Sequence, residues 1–279
     1  MPKLSIIIPC YFNEENIPIT KQKLIENEAL FEPDVTFEYV MVDDGSKDNT
    51  VEELIKFKNE QPGKVKIIKL AGNVGSYNAI LAGMNYASGD CCVVIAADLQ
   101  DPPELIEKFY EEYQKGFDVV YGRRVAREGS QTLASFYKIF YRMFRRVRYV
   151  PIPLDAGDFR LMDRKVVNEL VKLPETDQFM RGLRAWVGFK QTGVDYVRPE
   201  RMFGVTTNNW RKNIAWARKA IFSFSFVPLE LLTYIGWTLT AFSFVAIVAQ
   251  IIAYFIYRNV PHGITSIIVL ILFFGGLNM

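Results

Sequence analysis

An α/β fold with a mainly parallel sheet, helices on both of its faces, is what this sequence predicts, on three observations. Short apolar runs alternate with amphipathic segments from residue 4 to about residue 122, the pattern of strands exchanged with helices. The runs, such as "SIIIP" and "CCVVIA", are continuous rather than alternating, as strands buried on both faces are. Polar residues gather just past the runs, at the carboxyl edge where open sheets of this kind bind ligands.

Taken in order, "LSIIIP" reads as the first strand and "NEENIPITKQKLIENEAL" as its helix. "FEYVMVDD" is the second strand and "NTVEELIKFKNE" the helix after it. "KVKIIKL" and "GSYNAILAGMNYA" repeat the unit, as do "CCVVIAAD" and "PPELIEKFYEEYQK", and "FDVVYG" closes the series. The strand tips carry Asn13 and Glu14, Asp43 and Asp44, Asn73, then Asp98 with Gln100 and Asp101. Capping accounts for part of this: Ser46, Asp48 and Asn49 stand at the second helix, and Asp101 precedes a helix expected from Pro102. Four tips with polar groups exceed what capping requires and predict a shared ligand crevice.

After Gly122 the character changes. "GSQTLASFYKIFYRMFRRVRYV" is a helix mixing aromatics with arginines, and "DAGDFRLMDRKVVNEL" a short strand or loop running into a helix. "QFMRGLRAWVGF" is a further helix and "TGVDYVRPERMFG" an extended segment. "NNWRKNIAWARKAIFSFSF" has the composition of a helix lying in a membrane interface. From Leu231 to Tyr257 no residue is charged, and about 27 helical residues reach about 40 Å, ample for a hydrocarbon core of about 30 Å. The expected organisation is a catalytic-type α/β domain over 1–205, an amphipathic interfacial helix over 206–226, and a membrane region over 227–279. Within that region one complete helix is expected at about 229–257 and a second, cut short, at about 263–279.

Charge supports that division. The 279 residues are 50% apolar and carry a net charge of +2. Residues 1–120 hold 11 Lys/Arg against 21 Asp/Glu, whereas residues 121–220 hold 21 against 9. A basic second part suits a surface facing anionic lipid, and Lys/Arg before the first span predict a cytoplasmic N-terminal domain. Cys10, Cys91 and Cys92 fit neither a disulfide framework nor a zinc spacing and read as small core residues in a reducing compartment. "MPKLSIIIP" is too short for a signal peptide.

Seven segments in order, "SIIIPCYFNEE", "VDDGSKDNT", "GNVGSYNAILAGMNYASGD", "ADLQDPPELI", "DVVYGRR", "GDFRLMDR" and "RGLRAWVGF", resemble the family 2 glycosyltransferases. More narrowly, they are similar to the polyisoprenyl-phosphate glycosyltransferases, of which dolichol-phosphate mannose synthase and the bactoprenol glucosyltransferases are examples. The resemblance implies a GT-A, Rossmann-like nucleotide-diphospho-sugar transferase domain followed by interfacial and C-terminal transmembrane helices. It implies inverting transfer of one sugar from a UDP-sugar, glucose before N-acetylglucosamine, to undecaprenyl (polyprenyl) phosphate at the cytoplasmic face of the inner membrane. The protein would then be multi-pass, with a flippase and a downstream membrane glycosyltransferase as partners, a lipid bilayer, no nucleic acid, and packing with copies of itself as a homo-oligomer.

Carried over position by position, Pro9, Tyr11, Asn13 and Glu14 meet the nucleotide, Asp43 takes the uracil or ribose with Asp44 beside it, and Asn73 lies in the loop approaching the nucleotide. A carboxylate accepts from base N–H or ribose hydroxyl donors. Relatives commonly carry Asp-x-Asp-x-Gln at the fourth tip, positioning Mg²⁺ or Mn²⁺. Here the first Asp is Ala96, leaving Asp98 and Gln100, which suffices for a cation that takes its other ligands from phosphates and water. Asp158 matches the residue assigned as catalytic base. Because a lipid phosphate is largely ionised at neutral pH, its second pKa being about 6, Asp158 is expected to orient the acceptor or take a residual proton. Arg123, Arg124 and Arg127 are expected on the acceptor phosphate, guanidinium forks suiting that anion.

Three alternatives stand beside this. A processive polysaccharide synthase would carry Gln-x-x-Arg-Trp, whereas Gln178, Arg184 and Trp186 have the wrong spacing. A diacylglycerol glycosyltransferase would need a true base and no arginines. A membrane-tethered nucleotide-sugar binder is the non-enzyme reading.

Overall fold

Seven strands form one sheet: β1 (Lys3–Cys10), β2 (Thr36–Asp43), β3 (Val65–Lys69), β4 (Cys91–Val94), β5 (Val119–Arg127), β6 (Ala156–Asp163) and β7 (Gln191–Arg198). Their spatial order is β3-β2-β1-β4-β6-β5-β7. The structure is a computed structural model that describes residues 1–31, 33, 35–127, 156–174, 180–199, 218, 222, 225–257 and 263–278. The helix expected over 129–150, most of the interfacial helix over 206–226 and the loop at 258–262 lie outside the described residues.

The pairs β2·β3, β1·β2, β1·β4 and β5·β7 are parallel, but β6 runs antiparallel to both β4 and β5. The sheet is therefore mainly parallel, as expected, with β6 its one reversed strand among the described residues. Apolar pattern reports that a strand is buried, not which way it runs. The segment read as a strand or loop before "DRKVVNEL" is this β6.

The helices are α1 (Ile17–Glu28), α2 (Thr50–Glu60), α3 (Ser76–Tyr86), α4 (Leu105–Gln114), α5 (Arg164–Lys172) and α6 (Met180–Trp186). One sheet face packs Leu4, Ile6 and Ile8 of β1 against Leu24 of α1, Leu54 and Phe57 of α2, and Ile106 and Phe109 of α4. Each such fully buried side chain contributes about 1.5–3 kcal/mol. On the opposite face α3 comes down at Gly83, where a side chain would collide with Ile7 and lie 3.1 Å from a Val42 methyl. Both ends of the predicted elements shift inward: α1 starts at Ile17 rather than Asn13, and β4 pairs only to Val94.

The described chain divides into this sheet-bearing unit and a second unit that contains α7 (Val227–Tyr257) and α8 (Ile264–Leu277). Residues Leu229–Ala253 of α7 form a 25-residue stretch long and apolar enough to cross a membrane. Its largely exposed surface differs from that of a soluble core helix. The 14-residue α8 is shorter than a span and packs on α7 at Gly276, where a side chain would lie 2.9 Å from the Gly236 carbonyl oxygen. Among the described residues one helix of spanning length is present with a shorter apolar companion, so a multi-pass arrangement gains no support.

The three cysteines are buried and free, with burial pushing each thiol up, to about 11 for Cys92. At the amino edge of the sheet, buried Glu38 accepts from Ser5 Oγ at 2.6 Å and from Ser88 N and Oγ at 2.8 and 2.9 Å. Lys66 and Lys3 lie 2.7 and 3.2 Å away. Burial raises the Glu38 pKa, but hydrogen bonds from Lys66, Ser5 and Ser88 outweigh it and leave it at about 2. Because the folded value lies below the unfolded one, this stabilisation is complete above about pH 4.5 and is lost as pH falls towards 2. It amounts to about 3 kcal/mol. Glu38→Gln should therefore lower the thermal midpoint at pH 7 and flatten its decline between pH 5 and 3, measured by differential scanning fluorimetry on the detergent-purified chain.

Candidate functional site

The candidate crevice is built from the carboxyl ends of β1, β2 and β4 and the loop leading into α3. Two adjacent carboxylates at the tip of β2 divide the work. Asp44 accepts from the backbone N–H of Val74 at 2.7 Å and of Gly75 at 3.0 Å, fixing the loop that opens α3. Burial, with the Asp43 charge alongside, holds the Asp44 carboxyl above its ordinary value, although the two N–H groups pull it down. Gly45, at φ +74°, permits the contact: a side chain there would lie 2.7 Å from the Gly72 carbonyl carbon and 2.9 Å from Asn73 N.

Asp43 is fully buried and accepts from Ser46 N at 3.2 Å through Oδ1, while its Oδ2 has no hydrogen-bond partner. A buried acceptor without a partner costs about 1–3 kcal/mol. This is the residue expected to take uracil or ribose.

The loop after β1 is tied to the same tip. Phe12 N donates to Ser46 Oγ at 3.1 Å, Asn13 N to Thr50 Oγ1 at 2.8 Å, and Glu14 Oε2 accepts from Asn49 N at 2.9 Å. Asn13 Oδ1 accepts from Tyr11 N at 2.7 Å. The side-chain oxygens of Asn13 and Glu14 thus shape the loop, and Ser46 binds it rather than capping α2. Asp48 takes the start of α2, accepting from Thr50 N at 3.2 Å. Pro9 is half-buried in β1 opposite Val42, and Asn73 is exposed. Tyr11 and Phe12 present exposed rings edge to face, 4.6 Å between centroids, at the mouth of the crevice. Phe12 and Leu99 both have positive φ, +52° and +54°; such strain gathers at functional loops.

At the β4 tip Asp98 is nearly buried and Oδ1 accepts from Gln100 N at 3.2 Å. Among the described residues no group of three or more His, Cys, Asp or Glu side chains is arranged to hold a metal. The residues fit a cation that needs one protein carboxylate and takes its remaining oxygens from phosphates and water.

The antiparallel run of β6 brings its first residues to this same edge, beyond the last β4 pair at Val94 and Arg160. Asp158 is there, its side chain one-third exposed (33%), with Arg160 Nη1 3.8 Å from Oδ1. Tyr77 Oη donates to the same oxygen at 3.3 Å.

Asp101 does not cap α4, which begins at Leu105. It is buried and accepts from Tyr196 Oη at 2.7 Å, with Arg198 Nε at 3.7 Å and Arg124 Nη2 at 3.9 Å. Burial raises its pKa against the pull of Arg198, Tyr196 and Arg124. Arg124 Nε also donates to Tyr196 Oη at 3.2 Å, and the guanidinium lies against Gly157, where a side chain would come within 2.8 Å of it. Arg124 is thereby held in place between β5, β6 and β7. Arg123 is about half exposed and pairs with Asp195 through Nε and through Nη2 at 3.0 Å. The backbone of Arg127 ends β5, and its side chain lies outside the described residues. Arg184 is buried with its guanidinium 4.7 Å from the Tyr121 ring, Trp186 is exposed, and Gln178 lies outside the described residues.

Tyr77, Asp195, Tyr196 and Arg198 were not found from the sequence. Nothing local marks them: each gains its role from a partner at least 72 residues away or from across the sheet.

The model of glycosyl transferase family 2 matches residues 5–171. An uncharacterized glycosyltransferase, sll0501 of Synechocystis, is 41% identical over 99% of this chain and 86% of its own length. A prophage bactoprenol glucosyl transferase homolog of Escherichia coli is 37% identical over 99% of this chain and 90% of its own. Among solved structures, glucosyl-3-phosphoglycerate synthase from Mycobacterium tuberculosis, in complex with Mn²⁺, UDP and glucosyl-3-phosphoglycerate, is similar in fold. Its TM-score is 0.51 at 16% identity, over 79% of this chain and 77% of that one.

Asp44→Asn can satisfy only one of the two loop N–H groups, and loss of a hydrogen bond to a charged group costs about 1.5–3 kcal/mol. Amide exchange at Val74 and Gly75 should accelerate at least about tenfold while exchange in β1 stays unchanged, as read by hydrogen–deuterium exchange mass spectrometry.

Proposed function

The chain belongs to glycosyl transferase family 2, and from that premise we propose that it transfers one sugar from a UDP-sugar to a polyprenyl phosphate at the cytoplasmic face of a membrane. The observation that carries the donor half is the open, buried Oδ2 of Asp43 beside the loop clamped by Asp44. It suits a uracil N–H or ribose hydroxyl, with Pro9, Tyr11, Asn13, Glu14 and Asn73 lining the approach. Relatives named bactoprenol glucosyl transferase over nearly the full chain support the acceptor half, and glucose as the first sugar to test.

In the proposed reaction an acceptor phosphate oxygen attacks C1 of the sugar from the side opposite the leaving diphosphate. The C1–O bond to UDP breaks, UDP leaves with the electron pair, and an α-linked donor gives a β-linked product. Asp98 and Gln100 would hold Mg²⁺ or Mn²⁺, which when bound supplies positive charge against the leaving diphosphate. Asp158 orients the incoming phosphate and takes the proton of its minor protonated form. Arg124, held by Asp101 and Tyr196, presents fixed positive charge. Arg123 adds to it: its pair with Asp195 is exposed to solvent and therefore weak, so a phosphate dianion can displace the carboxylate. Arg127 follows on the same strand.

In this reading residues 1–205 form the catalytic domain, 206–226 lie in the interface and α7 crosses the inner membrane. The Lys/Arg-rich segment before α7 keeps the catalytic domain cytoplasmic. The lipid-linked sugar would then be consumed after a flippase by a membrane glycosyltransferase.

Purified chain incubated with radiolabelled UDP-glucose or UDP-N-acetylglucosamine and undecaprenyl phosphate should yield an acid-labile monosaccharide lipid. Turnover should stop with EDTA and return with Mg²⁺ or Mn²⁺. Asp158→Asn should lower kcat about 10- to 100-fold without abolishing it, since the acceptor is already largely ionised. A polymer, an alkali-labile glycolipid, or bound sugar without transfer would each contradict the proposal.

A further inference from the structure

The reaction proposed above gives Tyr77 no role, yet it links two elements of the site. It stands in the first turn of α3 and is buried. Its Oη donates to Oδ1 of Asp158 at 3.3 Å, an oxygen that Arg160 Nη1 approaches at 3.8 Å from within β6. The phenol therefore meets Asp158 from α3 while the guanidinium meets it from the sheet. Two contacts from different elements on one oxygen restrict how the carboxyl group can turn, and the side chain stays one-third exposed and open to a substrate.

Tyr77 is itself held. The loop immediately before it is fixed by Asp44 through Val74 N and Gly75 N. Further along, α3 is seated on the sheet at Gly83, against Ile7 and Val42. A helix anchored at both points cannot carry the phenol away from β6 without breaking one anchor. The same loop that approaches the proposed nucleotide pocket thus sets the position of the residue that touches Asp158.

We propose that Tyr77 is a positioning residue, its hydroxyl fixing the Asp158 carboxylate for the acceptor phosphate and tying it to the Asp44-clamped loop. The proposal rests on the reading of Asp158 given above. A tyrosine that merely fills space would serve as well without its hydroxyl; a positioning tyrosine would not, and its effect would depend on Asp158 being present.

The test is a double-mutant cycle on the full chain in detergent with undecaprenyl phosphate and the donor that it turns over: wild type, Tyr77→Phe, Asp158→Asn and the double variant, each with kcat, both KM values and a thermal midpoint. Tyr77→Phe should lower kcat by about tenfold, the loss of one hydrogen bond to a charged group. Donor KM and thermal midpoint should stay close to wild type. In the Asp158→Asn background the same change should alter kcat by less than about twofold. Equal losses in both backgrounds, or no loss in either, would overturn the role of Tyr77 and leave that of Asp158 standing. An Asp158→Asn enzyme with wild-type kcat would overturn both.

Discussion

Two neighbouring carboxylates at the end of β2 face different demands, and the site depends on their division. Asp44 is saturated by backbone donors and turns a glycine-containing loop into a fixed wall. Asp43 keeps one oxygen open although it is buried. Consecutive residues leaving a strand point in opposite directions, so a single "DDG" turn can clamp protein with one side chain and offer an acceptor to a ligand with the next. Gly45 makes the turn compatible with close approach to Gly72 and Asn73. The two environments are not interchangeable: an unpartnered Asp44 would free the loop, and a fully bonded Asp43 would lose the acceptor that the proposed nucleoside contact uses.

The second constraint is the direction of β6. Were it parallel, Asp158 would lie at the far edge of the sheet, away from the β2 and β4 tips. Running antiparallel between β4 and β5, it delivers its amino end to their carboxyl ends. Asp101 then binds the β4–α4 connection to β7, through Tyr196 and Arg198, and to β5 through Arg124. A buried carboxylate among two guanidiniums and a phenol keeps its charge compensated, which its burial would otherwise oppose. The outcome is an arginine held between three strands at this edge, with the exposed Arg123–Asp195 pair beside it.

Most strands and helices were readable because continuous apolar runs and amphipathic periods are local properties. The tips were readable too, since carboxylates ending a dry run are conspicuous. What could not be read was pairing. The mainly parallel sheet was read correctly, but the apolar pattern of "DFRLM" does not encode antiparallel neighbours, so the one reversed strand, β6, was not foreseen. Asp101 before two prolines has the sequence of a helix cap, and only the arrival of Tyr196 and Arg198 from β7 shows its other use. Nor could the sequence show that Asn13 and Glu14, read as ligand groups, each also accept from a backbone N–H, of Tyr11 and Asn49. Tyr77 carried no signal, being one aromatic among fourteen tyrosines whose importance lies in a partner 81 residues on.

The most direct measurement is isothermal titration calorimetry of UDP into the detergent-purified chain with Mg²⁺ present, comparing wild type with Asp43→Asn. The open oxygen of Asp43 predicts saturable binding by the wild type and a loss of about 10- to 100-fold in affinity for the variant, the scale of one hydrogen bond to a charged group. Equal affinity in the two proteins, or no UDP binding by the wild type, would contradict the account.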